Sequence, residues 1–473
     1  MRPGGTRHAI LTGNTGAMAS TEKASKTSTN SPTLPTVRDP VVHKHDDGNG
    51  NSTFTPGIKA AGESGRRGFS PVHFFKVIGT SSCKASAAVN ILWPIVPAAI
   101  AVHYATENHL AAFILAYIAM VPCANLIGFA GQEFGRKMPP VVAVLVETTF
   151  GSLVEIILFL VLLTGNDFQE DVIKAAILGS ILANMLLCLG LCFFASGLRR
   201  DESHFNEAVS EAGSGLLLTA GFGLAVPTVF SNSFSTATAE TAGVVGNVLA
   251  VSRITAIALM VAYFVYVWFM GRTHHGIYEA VFEFDEERDH DKHKDAAKDK
   301  LTLTECIVAL AISIALVTII AIALVDQIPF IVENYNVSDS FMGLILVPLV
   351  EKAAEHLTAV DEAWDNQMNL ALSHVLGATL QTALFNGPLV VIVGWGMKLP
   401  MGLDFDVFNL TVLILAILTV GNFLRDQKSN YLEGALCVIV YVVVAAAAFY
   451  NPTAGEAATE GETTVAERSL YGH

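Results

Sequence analysis

Charge is what this chain of 473 residues lacks most. Only 15% of its residues are Asp, Glu, Lys or Arg, where soluble domains carry about 25%. With 52% apolar residues, there is too little polar surface to cover the roughly three soluble domains that the length would otherwise allow. Basic residues are scarcer still. Against 43 Asp and Glu stand 28 Lys and Arg, a net charge of −15, which excludes nucleic acid as a partner because a phosphate backbone needs clustered cations. Cysteine is sparse, and the six present (Cys83, Cys123, Cys188, Cys192, Cys306, Cys437) have no paired or CxxC-type spacing. That excludes a disulfide scaffold and a zinc knuckle. The first seventy or so residues lack any apolar run that could form a signal-peptide core. Rich in Ser, Thr, Gly, Pro and Asn, residues 1–72 read as a disordered cytosolic tail, and 451–473 as a disordered lumenal one.

Long apolar runs fill the rest. A bilayer core of about 30 Å takes about 20 helical residues. Spans are expected near 88–103, 110–131, 141–163, 172–198, 208–230, 246–270, 303–326, 341–362, 370–396, 404–423 and 431–450. The expectation is an all-α integral membrane protein of about eleven transmembrane helices, with membrane lipid as its first partner. Loop charge gives its orientation, because cytosolic loops collect Lys and Arg. With the N-terminus cytosolic, the loops on that side hold Arg136, Lys137, Arg199, Arg200, Arg272, Arg288, Lys292, Lys294, Lys298, Lys300, Arg425 and Lys428, and the opposite loops hold only Lys398. The cytosolic loop 361–369 is acidic instead, with Asp361, Glu362 and Asp365.

An acidic hydrophilic loop, 271–302, divides the spans into 73–270 (one lone span and five more) and 303–450 (five). Two sets of five consecutive spans must face opposite ways, which is the inverted-repeat design of many secondary transporters. Leu178-Gly179-Ser180-Ile181-Leu182 echoes Leu376-Gly377-Ala378-Thr379-Leu380, and Glu155 and Glu355 precede those glycines by 24 and 22 residues.

These two glutamates are the main chemical signal. Each lies well inside an apolar run, where a charge costs about 2.5–3.5 kcal/mol on insertion scales and low dielectric favours the protonated acid. A carboxyl poised in this way holds a proton or a metal cation, one at a time, which is the basis of proton/cation exchange. Hard cations prefer oxygen ligands, and the neighbours supply them. Ser152 lies three residues before Glu155, Glu147 eight before it and Glu351 four before Glu355, so each shares a helix face with its partner. Ser180, Asn184 and Gln381 (with Thr379 and Asn386 nearby) offer further oxygens from the following spans. Structural roles stay open for several of them. Ser and Thr in membrane helices commonly bond the i−4 carbonyl, Asn and Gln can join two helices, Glu147 is also placed to reach cytosolic solvent, and His356 suits either packing or proton transfer.

Together the segments TFGSLVE (149–155), GSILANMLLCLG (179–190), KAAEH (352–356) and SNYLEGAL (429–436) resemble the cation/proton exchangers of the calcium/cation antiporter superfamily, over about residues 85–450. In that family the third and eighth spans carry GNATE- and GNAAEH-like motifs whose glutamates coordinate the ion. The resemblance implies that Glu155 and Glu355 carry metal and proton, with His356, Ser180, Asn184 and Gln381 at site positions, no cofactor beyond the transported cation (Na+, K+ or Ca2+) and H+, and a vacuolar membrane location. The chain departs from the family pattern. Ser152 stands for the first motif's Asn, and Glu351-Lys352 for the second motif's Gly-Asn. The run VEKAAEHLTAVDEAWDNQMN is similar to a fungal branch of low-affinity vacuolar monovalent cation/proton antiporters. An ammonium at Lys352 repels a divalent ion about twice as strongly as a monovalent one, which favours Na+ or K+ over Ca2+ unless Lys352 instead neutralises Glu351 or Glu147. Glu147, Glu351 and Lys352 are thus the selectivity candidates. A Ca2+/H+ exchanger of the same family is the alternative, and a passive cation channel or a transport-dead regulatory relative the alternatives of another class. An intramembrane enzyme is disfavoured, since Glu-Lys-Ala-Ala-Glu-His is not HExxH and no Gly-x-Ser-x-Gly elbow occurs in the spans.

Overall fold

Helix starts along the chain are set by short polar side chains. Asn108 accepts from the Ala111 amide, Asn206 from Ala208, Ser338 from Phe341, Asp406 from Asn409, and Asn430 from both Leu432 and Glu433. Thr302 and Glu305 form a reciprocal capping box. Each cap satisfies amides that a helix leaves unpaired at its first turn. We describe a computed structural model covering residues 62, 64–66, 68–81, 83–165, 168–234, 242–290, 292, 294, 298–335 and 337–451. Most of the two expected tails lies outside these residues.

The described chain is helical apart from one short strand pair. An amphipathic helix α1 (Pro71–Thr80) precedes α2 (Lys84–Ala105), α3 (His109–Gly135), α4 (Pro140–Thr164), α5 (Glu170–Gly197), α6 (Glu207–Asn232) and α7 (Gly243–Thr273). After α8 (His275–Arg288) come α9 (Leu303–Tyr335), α10 (residues 339–351 and then Ala353–Trp364), α11 (Met368–Gly396), α12 (Val407–Leu424) and α13 (Tyr431–Phe449). Strands β1 (Ser203–His204) and β2 (Lys428–Ser429) pair antiparallel, tying the α5–α6 turn to the α12–α13 turn. Among the described residues, ten helices are long and apolar enough to cross a membrane. The expected span at 341–362 is not one of them. It is helical, but Glu351, Lys352 and Glu355 interrupt its apolar run.

Two spans are innermost. In α5 and α11, 83% of the most apolar window is buried inside the protein, against 17–61% for the other eight. Large apolar side chains such as Phe222, Ile254 and Val443 point outward, which costs nothing against lipid tails; helix association there depends on close packing instead. Glycine permits that packing where it matters most. Gly179 of α5 lies against the Leu344 backbone of α10, and Gly343 of α10 against the Val172 carbonyl of α5.

Corresponding irregularities mark the two halves. In α4 the helix breaks at Ser152, three residues before Glu155, and in α10 it breaks at Lys352, three residues before Glu355. The following spans each widen into a π-helical turn, Ala183–Cys188 in α5 and Thr382–Asn386 in α11. Such turns shift side-chain directions and cluster at functional sites.

Much of the expected acidic loop is ordered. Helix α8 buries Tyr278, Val281, Phe282 and Asp285. Asp285 accepts from the backbone amides of Asn369 (2.7 Å) and Leu370 (3.1 Å) and from Asn369 Nδ2 (2.8 Å), so an acid from outside the spans caps the N-terminus of α11. Tyr278, Val281, Phe282 and Asp285 fall at i, i+3, i+4 and i+7, one face of the helix. Replacing Asp285 by Ala removes all three charge-assisted bonds, worth on the order of 2 kcal/mol in sum of net effect. The expected outcome is a lower apparent melting temperature and faster proteolysis between α8 and α9. Unchanged protease resistance would show that α8 is held by its apolar face alone.

Candidate functional site

The breaks in α4 and α10 and the π turn of α11 converge on one buried ammonium. Lys352 Nζ lies 2.8 Å from Glu155 Oε2 and 3.3 Å from Glu355 Oε2. The Glu155 side chain is fully enclosed and that of Lys352 is 1% exposed. Thr382 Oγ1 (2.8 Å) and Asn386 Nδ2 (3.0 Å) also donate to Glu155 Oε2. Lys352 leads into the second half of α10, and its side chain can therefore turn inward beside Glu355 at i+3. Gly151, before the matching break, makes room on the other side: a Cβ there would collide with the Glu355 carboxylate.

Oxygen atoms surround this pair. Glu351 is buried within electrostatic reach of Glu155, Lys352 and Glu355, beside Ser180. Buried oxygens without a hydrogen-bond partner among the described residues include Glu155 Oε1, both Glu351 carboxyl oxygens, Ser180 Oγ, Gln381 Oε1 and Asn386 Oδ1. Buried polar atoms in native proteins almost always find partners; a cluster of orphaned acceptors in a membrane interior is the chemistry of a hard-cation site. Among the described residues, no three His, Cys, Asp or Glu side chains are set to hold a metal by themselves, so amides and hydroxyls have to complete any such site.

A small cavity leads to the pair. It is lined by Gly128, Gln132, Glu147, Gly151, Asn184, Glu355, His356 and His374, among others. His356 Nε2 meets Asn184 Oδ1 at 3.2 Å. His374 Nε2 lies 3.0 Å from Glu147 and its Nδ1 2.8 Å from Glu362, which links α4, α10 and α11.

Several expectations change. Lys352 does not pair with Glu351 or Glu147; the turn at the α10 break aims it at Glu155 and Glu355. Ser152 bonds the Thr148 carbonyl (2.9 Å), and Thr379 bonds that of Val375, the ordinary i−4 pattern. Glu147 is paired with His374 and still borders the cavity. Glu362, expected in an acidic loop, is buried in the second half of α10. Sequence reasoning passed over Thr382 and His374, placed Glu362 in an acidic loop and treated Asn386 only as a neighbour. Thr382 and Asn386 were visible as polar residues four apart in an apolar run; nothing local marked His374, because its partners come from two other helices.

Removing one member of a buried ion pair strands the other, at a typical cost of about 3–5 kcal/mol, whereas replacing both is much better tolerated. Glu155→Gln is therefore expected to lower thermal stability more than the double variant Glu155→Gln/Lys352→Met. Additive losses across this double-mutant cycle would show that the contact has no energetic coupling.

Known proteins share this architecture. The family described as "Sodium/calcium exchanger protein" matches residues 108–272 and 306–450. The chain is 31% identical to a vacuolar calcium ion transporter of Schizosaccharomyces pombe, covering 80% of this chain and 88% of that protein. It is 32% identical to vacuolar cation/proton exchanger 2 of Oryza sativa subsp. japonica, over 77% of this chain and 82% of the relative. It is also 32% identical to a Ca2+/H+ antiporter of Aphanothece halophytica, over 76% and 96%. Among solved structures, native YfkE superposes with a TM-score of 0.63 at 25% identity, covering 77% of this chain and all of that one. A crystal structure of the H+/Ca2+ exchanger CAX superposes with a TM-score of 0.54, covering 80% of this chain and 92% of that one; at 11% identity it bears on the fold alone.

Proposed function

Because the chain belongs to the sodium/calcium exchanger protein family, and within it to the cation/proton exchangers, we propose that it is a Ca2+/H+ antiporter of a vacuolar membrane that moves Ca2+ out of the cytosol in exchange for protons. It is a membrane transporter rather than an enzyme. The observation that carries the reading is the meeting of Glu155 and Glu355, from matching helix breaks, at one dehydrated cation position. Each carboxyl holds either a proton or a share of the metal ion, so loading one species unloads the other.

The sequence-based preference for Na+ or K+ finds no support in the relatives, whose names specify calcium or cation/proton exchange. Its weakness is physical. It weighed the ammonium of Lys352 as a repulsive charge or as a neutraliser of Glu351 or Glu147, whereas the ammonium lies against Glu155 and Glu355. Glu155, Glu351 and Glu355 outnumber the one ammonium of Lys352, so the buried site keeps negative charge for a metal cation to offset.

The inverted arrangement of the two halves supplies the route. In the orientation given by loop charge, the cavity lies beside the α3–α4 turn that carries Arg136 and Lys137, on the cytosolic side. Ca2+ enters there, displaces protons from Glu155 and Glu355, and reaches the lumen when the two repeats rock about the site. An acidic lumen then reprotonates the acids and releases the ion. In proteoliposomes with an acidic interior, the wild-type chain should take up Ca2+ against its gradient, and neither Na+ nor K+ should replace it. Glu155→Gln and Glu355→Gln should each reduce uptake to background. Gly151→Ala, which crowds the Glu355 carboxylate, should reduce it about tenfold while the protein remains folded. Full uptake in both glutamine variants would refute this assignment of the carriers.

A further inference from the structure

Lys352 places a cation where the cargo would sit. Its ammonium lies within ion-pair distance of both Glu155 and Glu355, is almost wholly buried, and is carried on a flexible four-carbon stem at a helix break. The three groups are not a sealed unit. Glu355 retains 20% side-chain exposure and lines the cavity that also borders His374 and Glu147, so the pair's outer carboxylate meets open space while the ammonium stays buried. Asn386, which donates to Glu155, has its Oδ1 without a partner among the described residues, and Glu351 lies within electrostatic reach of the pair; these are acceptors that Lys352 leaves unused.

Resting on the reading of Glu155 and Glu355 as the cation site, we propose that Lys352 is a tethered counter-cation that competes with the transported ion for this carboxylate pair. Without cargo, the ammonium offsets one of the two acid charges and so lowers the cost of holding the pair in the membrane interior. An arriving cation must displace it, drawing on Glu351 and the spare amide and hydroxyl oxygens as further ligands. Lys352 therefore weakens cation binding and determines specificity: a monovalent ion only replaces the charge that the ammonium already supplies, while a divalent ion brings one charge more.

The test is cation binding in detergent without any proton gradient, read as thermal stabilisation by CaCl2 of the full chain. Lys352→Gln is expected to be less stable than wild type in the absence of Ca2+ and to reach half-maximal stabilisation at a Ca2+ concentration at least tenfold lower. In Lys352→Ala, added methylammonium is expected to occupy the deleted ammonium's position and raise the half-stabilising Ca2+ concentration at least tenfold, while the same concentration leaves wild type within threefold. An equal or weaker Ca2+ response in Lys352→Gln overturns the proposal. So does a methylammonium effect in Lys352→Ala no larger than in wild type, and that arm decides alone if the glutamine variant does not fold. A lysine that merely packs the break would not be mimicked by a soluble amine. Failure of the antiport reading appears separately, as absent Ca2+ uptake in proteoliposomes by a wild-type protein that still binds Ca2+.

Discussion

Everything in this membrane interior depends on keeping charge balanced where water cannot help. Glu155 and Glu355 are tolerable in the dehydrated core because Lys352 stands between them and because Thr382 and Asn386 donate to Glu155. An isolated ion in such a medium is prohibitively costly, and a paired one is not. The constraint shapes the backbone as well. A continuous α-helix at residue 352 would send the lysine side chain in a different direction, and a residue larger than glycine at 151 would displace the Glu355 carboxylate. Helix breaks, π turns and glycine contacts in α4, α5, α10 and α11 therefore serve one end, which is to bring the charges of α4 and α10 and the neutral donors of α11 to a common point.

The same balance links structure to transport. An exchanger must never present an uncompensated pair of acids to the membrane while its two halves move. Protons or a metal ion compensate the acids in the loaded states, and the lysine is a third compensator already attached to the chain. What distinguishes these states is which positive charge sits on Glu155 and Glu355. That makes the carboxylate pair the natural point at which cation binding and proton binding exclude each other.

Most of the fold was legible in the sequence because membrane insertion writes a strong signal: apolar runs of fixed length and basic residues gathered in alternate loops. Glu155 and Glu355 stood out for the same reason, as charges where charge is costly. What was hidden has one common cause. Ser152 and Thr379 share their sequence surroundings with site residues, yet each closes on its own backbone. Lys352 reads as a repulsive charge when counted alone, and its partners emerge only once the α10 break orients it. His374, Glu147 and Glu362 form a cluster whose members come from three helices. Composition and periodicity report on one helix at a time, whereas pairing belongs to the packed bundle. Helix α8 is anchored by a contact of the same kind, Asp285 on the first turn of α11, 84 residues distant.

The His374 cluster bears on how the site is held in register. One imidazole bridges carboxylates of α4 and α10, the two helices that carry Glu155 and Glu355, and it sits on α11, which carries Thr382 and Asn386. Any motion that separates α4 from α10 must break one of its two contacts. Asp285 fixes the start of the same helix α11 from outside the spans. The arrangement is therefore braced on the α11 side by polar contacts. Between α5 and α10, glycines bring the two backbones together at Gly179 and Gly343, and the His356–Asn184 contact joins them, but among the described residues no side-chain ion pair does. Motion between the halves meets less resistance along such a smooth glycine contact than across a network of buried ion pairs, each of which has to be broken in a medium that offers no replacement partner.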